Sequence, residues 1–166
     1  MQVLVMSDTH GDSLVIDKVR GFYPNADAVI HCGDSELAFS HTALTGMKKV
    51  RGNCDAEKAF PDEVVFEVGD VAFFVTHGHL FNVKTSILSL SYRAKEVAAQ
   101  ITCFGHSHIL GAEMIDGVLF INPGSLLKPR GRKEKSFAIV EISDANFQVN
   151  FLTDDNDCIS LHQFVR

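Results

Sequence analysis

Residues 2–11 read QVLVMSDTHG, an apolar run that changes abruptly to a polar segment. A short apolar run bounded by a turn signal predicts a buried β-strand, here over residues 2–6. Residues 13–22 follow, with apolar side chains near helical spacing and Pro24 just beyond them, which predicts an amphipathic α-helix. A buried strand that leads directly into a helix indicates an α/β fold.

The alternation of strand and helix continues to about the middle of the chain, and hairpins dominate thereafter. The further predicted elements are a strand at 27–32, a helix at 36–46, a short strand ending at Val50, hairpins at 64–76 and 112–122, a helix towards the end of 83–100, a strand at 101–104 and antiparallel strands within 136–165. This order favours a mixed α/β fold with two sheets layered between helices, in one domain over residues 1–166.

Composition and charge limit the classes of function. The net charge of −6 argues against a broad nucleic-acid-binding surface, which would be basic. No basic leader precedes the first apolar run, and no apolar stretch approaches the length of a membrane span, so we expect no membrane association and a cytoplasmic location. The four cysteines form no Cys-x-x-Cys pair, so we expect reduced thiols and no structural zinc site.

Six apolar runs each end in a cluster of glycine with aspartate, asparagine or histidine. The clusters are residues 7–11, 33–35, 51–55, 76–79, 105–108 and 122–125. Sites in α/β sheets form at the carboxyl ends of strands. We therefore expect these clusters to converge on one crevice.

The clusters supply a mixed set of nitrogen and oxygen ligands. The candidate metal ligands are Asp8, His10, Asp34, Asn53, His77, His106 and His108. Such a set suits Mn, Fe, Zn or Ni better than Mg or Ca alone. Seven ligands are too many for one catalytic zinc, which takes three protein groups and a water, but they suit two metals that share a carboxylate.

Each cluster alone has a simpler interpretation, because a histidine at a strand end is more often a hydrogen-bonded polar residue than a ligand. The joint pattern argues against that interpretation, since five of the eight histidines lie in the clusters. His31, His41 and His162 lie outside them and are interpreted as structural or surface residues. We also expect extended backbone at residues 105–108, where residues two apart point to the same face and reach adjacent ions.

The order of the motifs carries a family resemblance. The motifs are Asp-x-His at 8–10, Gly-Asp at 33–34, Gly-Asn-x-Asp at 52–55, His-Gly-His at 77–79 and Gly-His-x-His at 105–108, with Asn-Pro-Gly-Ser at 122–125. In this order they resemble the calcineurin-like metallophosphoesterases, and most closely their small, single-domain, YfcE-like phosphodiesterase branch. No motif is specific alone, whereas the combination is, and it covers most of the chain.

The resemblance implies a fold, a cofactor and an activity. The implied fold is a four-layer α/β/β/α sandwich of two mixed β-sheets flanked by helices. The implied cofactor is two divalent metal ions, with Mn²⁺ the first choice and Ni²⁺, Fe²⁺, Zn²⁺ or Mg²⁺ as alternatives. The implied activity is a phosphodiesterase of broad specificity for small phosphoesters, in which a hydroxide shared by both metals attacks phosphorus.

The resemblance also implies a role for each candidate residue. The first metal would be held by Asp8, His10 and His108, the second by Asn53, His77 and His106, and Asp34 would bridge the two. The implied catalytic residues are Asp34, Asn53 and His79, and the implied substrate contacts are Asn53, Cys54 and His79. Lys128 and Arg130, in a basic loop at 128–135, are less favoured substrate contacts, because a solvent-exposed loop is the simpler interpretation.

Two positions depart from the pattern of many family members. Ser35 stands where they carry a second acid, a non-ligand position from which we expect little consequence, and the other position is Cys54. Those members carry histidine directly after Gly-Asn, where this chain has Cys54, as the small YfcE-like branch does. A thiol is a poor substitute for imidazole in protonating a leaving oxygen. This favours substrates with good leaving groups or another donor, for which His79 is the candidate. The alternative role of His79 is to orient His77.

Two other classes of function stay open at this point. One is a catalytically weak or inactive protein-binding scaffold of the same fold, like the metallophosphatase-like subunit of retromer, although all seven ligand positions are intact here. The other is a zinc-dependent hydrolase of amides or esters, although the chain has no His-Glu-x-x-His motif. A homo-oligomer formed through exposed hairpins also stays open.

Overall fold

The computed structural model describes all 166 residues and contains eleven β-strands and two α-helices. The strands are β1 Gln2–Met6, β2 Ala28–His31, β3 Lys48–Lys49, β4 Glu63–Val68, β5 Val71–Thr76, β6 Ile101–Cys103, β7 Gly111–Ile115, β8 Val118–Asn122, β9 Ser136–Ile142, β10 Asn146–Thr153 and β11 Cys158–Val165. The helices are α1 Ser13–Phe22 and α2 Leu88–Glu96, and Thr42–Leu44 and His79–Phe81 form single 3₁₀ turns.

The strands form two mixed sheets. The first has the order β11-β10-β9-β1-β2-β3, in which β1 pairs parallel with β2 and antiparallel with β9. The second has the order β4-β5-β6-β8-β7, in which β5, β6 and β8 are parallel and the hairpins add β4 and β7 at the edges. The predicted hairpins and C-terminal strands are therefore confirmed.

Alternate side chains of β1 separate two layers of core. Val3 and Val5 are fully buried between the two sheets, in the same apolar cluster as Phe73 of β5. Leu4 and Met6 point the other way and pack with Ile16 of α1. This period of two is what a strand buried on both faces requires, and it explains why β1 reads as a continuous apolar run.

The second sheet is buried on both faces in the same way. Phe73 and Val75 face the first sheet, whereas Phe74 packs with Leu90 and Ala94 of α2. The layers are therefore α1, the first sheet, the second sheet and α2, which confirms the predicted α/β/β/α sandwich. Neither helix has the length and apolar character that a membrane crossing requires. The boundaries of a single domain stay a prediction.

Parallel pairing within each sheet brings the predicted clusters to one edge. The carboxyl ends of β1 and β2 are neighbours in the first sheet, and those of β5, β6 and β8 are neighbours in the second. The segments that follow these strands carry all the candidate ligands except Asn53, which follows β3. The fold thus collects residues that lie up to 100 positions apart in the chain.

The predicted helix at 36–46 is wrong, because only Thr42–Leu44 forms a helical turn. Glu36 has a φ of 52°, which a right-handed helix cannot accommodate. Its backbone N–H donates to the carboxylate of Asp55, and that of Phe39 donates to Glu57. The backbone groups of this segment therefore bind acidic side chains of the 52–57 loop instead of one another.

Candidate metal centre

The first group of candidate ligands gathers at the ends of β1 and β6. Ligand atoms of Asp8, His10 and His108 all lie within 4.8 Å of one another. Nε2 of His108 is 3.1 Å from Oδ1 of Asp8, and the rings of His10 and His108 are 5.3 Å apart between centroids. Asp8 is fully buried, so its charge is screened little by water.

The second group lies directly beside the first. Ligand atoms of Asp8, Asp34 and His77 also lie within 4.8 Å of one another. Nε2 of His77 is 3.4 Å from Oδ2 of Asp34, 4.0 Å from Oδ1 of Asp8 and 3.2 Å from Oδ1 of Asn53. Asp8 therefore has an oxygen within reach of both groups.

His106 and His79 complete the cluster around His77. The ring of His106 is 5.1 Å from that of His77, and the ring of His79 is 5.4 Å from His77 and 6.1 Å from His106. The structure thus brings together every residue that the sequence nominated as a ligand. It also places His79, the candidate proton donor, next to them.

Hydrogen bonds at the remote ring nitrogen orient three of the histidines. Nδ1 of His77 donates to the carbonyl of Cys32, and Nδ1 of His108 donates to the carbonyl of Lys128, each at 2.7 Å. Nδ1 of His10 lies 2.5 Å from Oε1 of Glu36. These contacts leave the lone pair of each Nε2 facing the centre, which is the usual arrangement of metal-ligating histidines.

Two ligand atoms in the centre are buried and unsatisfied. Oδ1 of Asp8 and Nε2 of His10 have no hydrogen-bond partner, although neither is accessible to solvent. Buried polar atoms almost always have partners, and an unbound ion is a standard reason for an exception. The donor set of imidazole, carboxylate and amide oxygen fits divalent transition metals. The residues present therefore fit the metals that the family resemblance implies.

Charge pairing within the centre shifts the pKa values of Asp34 and His77 apart. Burial opposes the ionisation of Asp34, but the hydrogen bond and charge of His77 and the N–H of Cys54 hold its pKa well below its usual range. Burial likewise opposes protonation of His77, but Asp34 and Asp8 outweigh it and raise its pKa. The carboxylates are therefore ionised at neutral pH, as ligation requires.

The pKa values of the two histidines after β6 are shifted in opposite directions. The neighbouring carboxylate of Asp8 raises the pKa of His108 against the effect of burial. Burial lowers the pKa of His106 to about 4, with smaller contributions from the positive charges of His77 and Lys84. His106 is thus a neutral imidazole at physiological pH, which is the form that binds a metal.

The backbone at the candidate ligands corrects one expectation. Residues 105–108 are not extended, since His106 and His108 have φ values of 64° and 60°. Asp8, His10 and Asp34 also have positive φ, between 43° and 55°. Such conformations are uncommon for residues other than glycine and concentrate at functional sites. A left-handed kink at each residue, rather than the same face of a strand, aims these side chains into one centre.

Comparison with known proteins agrees with this geometry. The model of the calcineurin-like phosphoesterase superfamily domain matches residues 1–145. The chain belongs to the calcineurin-like phosphoesterase superfamily. It is 43% identical to the probable metallophosphoesterase YsnB of Bacillus subtilis over 152 residues, which cover 91% of this chain and 90% of that one.

Two further relatives support the placement in this superfamily. The crystal structure of a predicted phosphoesterase from Streptococcus pneumoniae superimposes with a TM-score of 0.96 at 41% identity and covers 99% of this chain and 97% of that one. A phosphodiesterase of Methanocaldococcus jannaschii is 30% identical over 144 residues, which cover 75% of this chain and 83% of that one. Proteins of this family bind divalent metals.

Sequence reasoning missed three residues that build this candidate metal centre. The buried carboxylate of Asp55 accepts hydrogen bonds from the backbone N–H groups of Asp34 and Gly52, each at 2.8 Å. Glu36 contacts His10, as described above. Nδ2 of Asn122 donates to the carbonyl of Gly105 and to the hydroxyl of Ser107, each at 2.9 Å. Asp55 and Asn122 were visible within motifs, but nothing in their spacing showed what they bind.

Glycine is required at two positions because side chains crowd the centre. A Cβ at Gly52 would overlap the carboxylate of Asp34, and a Cβ at Gly105 would overlap the hydroxyl of Ser7. The first case lets the 52–55 loop close over Asp34. The second lets the segment after β6 approach the segment after β1 closely enough for the backbone N–H of His106 to reach the carboxylate of Asp8. At both positions the absence of a Cβ lets the backbone approach a neighbouring side chain closely.

The environment of the candidate proton donors differs between Cys54 and His79. Burial and the neighbouring Asp34 raise the pKa of the Cys54 thiol to about 11, so that it is neutral at physiological pH. His79 is half-buried, and its Nδ1 is buried without a hydrogen-bond partner. Lys128 contributes a backbone carbonyl to His108, and Arg130 lies in the exposed loop beyond it.

Proposed function

We propose that this protein is a dinuclear-metal-dependent phosphoric ester hydrolase, and most specifically a phosphodiesterase of broad specificity for small phosphoesters. The observation that carries the proposal is the pair of adjoining ligand groups around Asp8, with an unpaired buried oxygen on Asp8 and an unpaired buried nitrogen on His10. A single metal ion would occupy only one of these two ligand groups. The name of the M. jannaschii relative supports the preference for diesters.

The proposed ligand assignment follows the family resemblance. Asp8, His10 and His108 would hold one metal, and Asn53, His77 and His106 the other, with Asp34 as the bridge. Mn²⁺ is the first choice, because imidazole and carboxylate ligands together accept first-row metals. Bound metals of this kind lower the pKa of water and neutralise the phosphoryl oxygens of an in-line displacement.

The residues of the chain prepare the centre for an anionic substrate. Asn53 offers an oxygen without a charge, so the ligand set contributes only the two carboxylates of Asp8 and Asp34. A centre with two carboxylates keeps a net positive field when two divalent cations are bound. The overall charge of −6 therefore does not need to repel a phosphoester at this edge of the sheets.

Protonation of the leaving oxygen falls to His79 in this proposal. Cys54 holds its proton too tightly to act as an acid near neutral pH, because burial and Asp34 raise its pKa to about 11. His79 lies beside His77 and His106, and burial and the charge of His77 lower its pKa, which makes its imidazolium a stronger acid than the Cys54 thiol. Esters with good leaving groups need no such donor, which is consistent with broad specificity for activated substrates.

The test compares metal-loaded wild type with Asp34→Ala and Asn53→Ala, using bis(p-nitrophenyl) phosphate and p-nitrophenyl phosphate with added Mn²⁺. Loss of groups that merely orient a ligand costs about 10–100-fold, so loss of a ligand should cost at least about a hundredfold in kcat/KM. His162→Ala, on the exposed edge strand β11, is the matched control. Wild-type turnover in both variants would refute the two-metal centre, and no turnover in wild type with any divalent metal would favour a scaffold.

A further inference from the structure

A cavity of about 520 Å³ opens beside the metal centre. It begins at Ser107, which lies between the candidate ligands His106 and His108. Asn122, which holds Ser107, also lines it. A neighbouring cavity of about 280 Å³ shares Ile109 and Arg130 with it. The side of the metal centre formed by the 105–108 segment therefore borders this cavity.

The walls of this cavity, which we call the side cavity, are mainly apolar. Val83 and Ile87 line it from the segment that leads into α2, Phe104 from the segment just after β6, and Phe120 from β8. Ile109 also lines it and is 54% exposed. A volume of about 520 Å³ falls within the range of small-molecule sites, about 300–1,000 Å³, and far exceeds what a phosphoryl group alone occupies.

Two cations stand at the mouth of the side cavity. Neither the ammonium of Lys84 nor the guanidinium of Arg130 forms an ion pair, although acidic residues outnumber basic ones by 21 to 15 in this chain. Arg130 is fixed to the centre, because its backbone N–H donates to the carbonyl of His108 at 3.0 Å. Glu113 is the one carboxylate among the lining residues.

We propose that the side cavity binds a planar aromatic ester group of the substrate, while Lys84 and Arg130 contact its phosphoryl oxygens. This inference deepens the proposed function and rests on it. An apolar cavity beside unpaired cations matches a phosphoester that carries an aromatic ring, because the anion meets the cations and the ring leaves water. The ring belongs either to an aryl group or to a nucleobase.

The binding test uses two phosphonates that share the same anionic group. Titration calorimetry with the Mn²⁺-supplemented protein compares phenylphosphonate with methylphosphonate. We expect phenylphosphonate to bind about tenfold more tightly, since burial of a ring is worth at least one order of magnitude. Equal affinities would overturn the proposal, because the ring would then gain nothing from the cavity.

Two variants locate that preference in the side cavity. A Cβ at Gly111, in the cavity wall, meets no atom within 4 Å, so the backbone there accepts a side chain, and we expect the indole of Gly111→Trp to occupy the cavity. We expect Gly111→Trp to abolish the preference for phenylphosphonate and Ile109→Ala to reduce it about threefold. Leu161→Ala on β11 is the matched control for Ile109→Ala, since Leu161 is 53% exposed and lies on the first sheet, which does not line the side cavity. The proposal is overturned if every cavity variant that folds keeps the wild-type preference for phenylphosphonate over methylphosphonate.

Kinetics separate failure of this inference from failure of the proposed function. Methyl p-nitrophenyl phosphate and bis(p-nitrophenyl) phosphate release the same leaving group, p-nitrophenolate, but only the second has another aryl ring for the side cavity. The KM of the second ester should therefore be lower, with a smaller difference in kcat. Turnover of both esters with equal KM, unaffected by Gly111→Trp, would overturn the side cavity and leave the phosphodiesterase intact. If neither ester is hydrolysed, both the side cavity and the proposed phosphodiesterase function are overturned. Thymidine 5′-p-nitrophenyl phosphate then identifies the ring, since a KM below that of the bis-aryl ester assigns a nucleobase and a higher one assigns an aryl group.

Discussion

The carboxylate of Glu36 contacts His10 at the ring nitrogen that does not face the metal centre. Oε1 of Glu36 is 2.5 Å from Nδ1 of His10, while Nε2 of the same ring is buried and unpaired. A carboxylate in this position fixes the tautomer and the ring orientation and raises the basicity of the ligating nitrogen. Glu36 can reach His10 because its own backbone is left-handed, with a φ of 52°.

Glu36→Gln should weaken metal binding without removing a ligand. We expect the affinity for Mn²⁺ to fall about tenfold, because loss of an orienting carboxylate typically costs 10–100-fold. Titration calorimetry of the chelator-stripped protein measures it. Glu67→Gln is the control, since Glu67 is exposed on β4 and makes no side-chain hydrogen bond. An affinity equal to wild type would mean that Glu36 does not orient the ligand.

Most of the fold was predictable because strands buried on both faces leave a plain trace in the sequence. β1, β5 and β8 read as continuous apolar runs, and each is buried between a sheet and a helix layer. The segment 36–46 was misread because its apolar residues suit a helix, whereas its backbone N–H groups donate to Asp55 and Glu57. Those partners lie outside any local window of sequence.

The candidate ligands were predictable for a similar reason, since each follows an apolar run with glycine nearby. Their orienting partners were not, because Cys32 and Lys128 act through backbone carbonyls that any residue could supply. The left-handed backbone at His106 and His108 also left no trace, since neither residue type demands it. Sequence therefore nominated the donor atoms, and only tertiary structure shows what holds them.

Asp55 should be essential for the loop that carries Asn53. Its buried carboxylate accepts three backbone N–H groups, from Asp34, Glu36 and Gly52, and the hydroxyl of Ser35. Asp55→Asn turns one acceptor oxygen into a donor that faces N–H groups. We expect a loss of about 3 kcal/mol in the free energy of unfolding, measured by urea denaturation with chelator present.

The control for this change is Asp144→Asn, on the exposed turn between β9 and β10. Asp144 makes no side-chain hydrogen bond and should leave the unfolding free energy within about 0.5 kcal/mol of wild type. A similarly small effect of Asp55→Asn would show that water replaces its hydrogen bonds and that the carboxylate does not hold the loop.

His79→Asn should reveal whether His79 donates a proton to the leaving group. p-Nitrophenolate leaves as a stable anion, so hydrolysis of bis(p-nitrophenyl) phosphate should fall less than about threefold. Hydrolysis of diphenyl phosphate, whose phenolate needs a proton, should fall about a hundredfold, in the range of general acid catalysis. If His79 only orients His77, both esters should slow equally and Mn²⁺ affinity should fall with them. Cys54→Ser should leave the ratio of the two rates unchanged, because the thiol is not the donor.

His31 should make the metal-free protein less stable in mild acid. It is fully buried under the 33–35 segment, where it accepts the N–H of Gly33 and contacts the hydroxyl of Thr9. Burial lowers its pKa to about 4, and the nearby charges of Asp55 and Asp8 offset only part of that effect. The unfolded chain binds a proton near pH 6.5 and the folded chain does not. His31 therefore does not reduce the free energy of unfolding above pH 6.5, and it reduces that free energy progressively as the pH falls from 6.5 towards 4.

The measurement is urea unfolding at pH 7.5 and pH 5 with chelator present, for wild type and His31→Gln. Between these two values His31 should account for about 2 kcal/mol of the stability that wild type loses. Glutamine can still accept a hydrogen bond from the N–H of Gly33 but does not titrate. The stability that His31→Gln loses between the two pH values should therefore be smaller than the wild-type loss by that amount. His162→Gln, which changes an exposed histidine on β11, should retain the wild-type difference. Parallel pH dependence in wild type and His31→Gln would show that His31 does not carry the acid sensitivity.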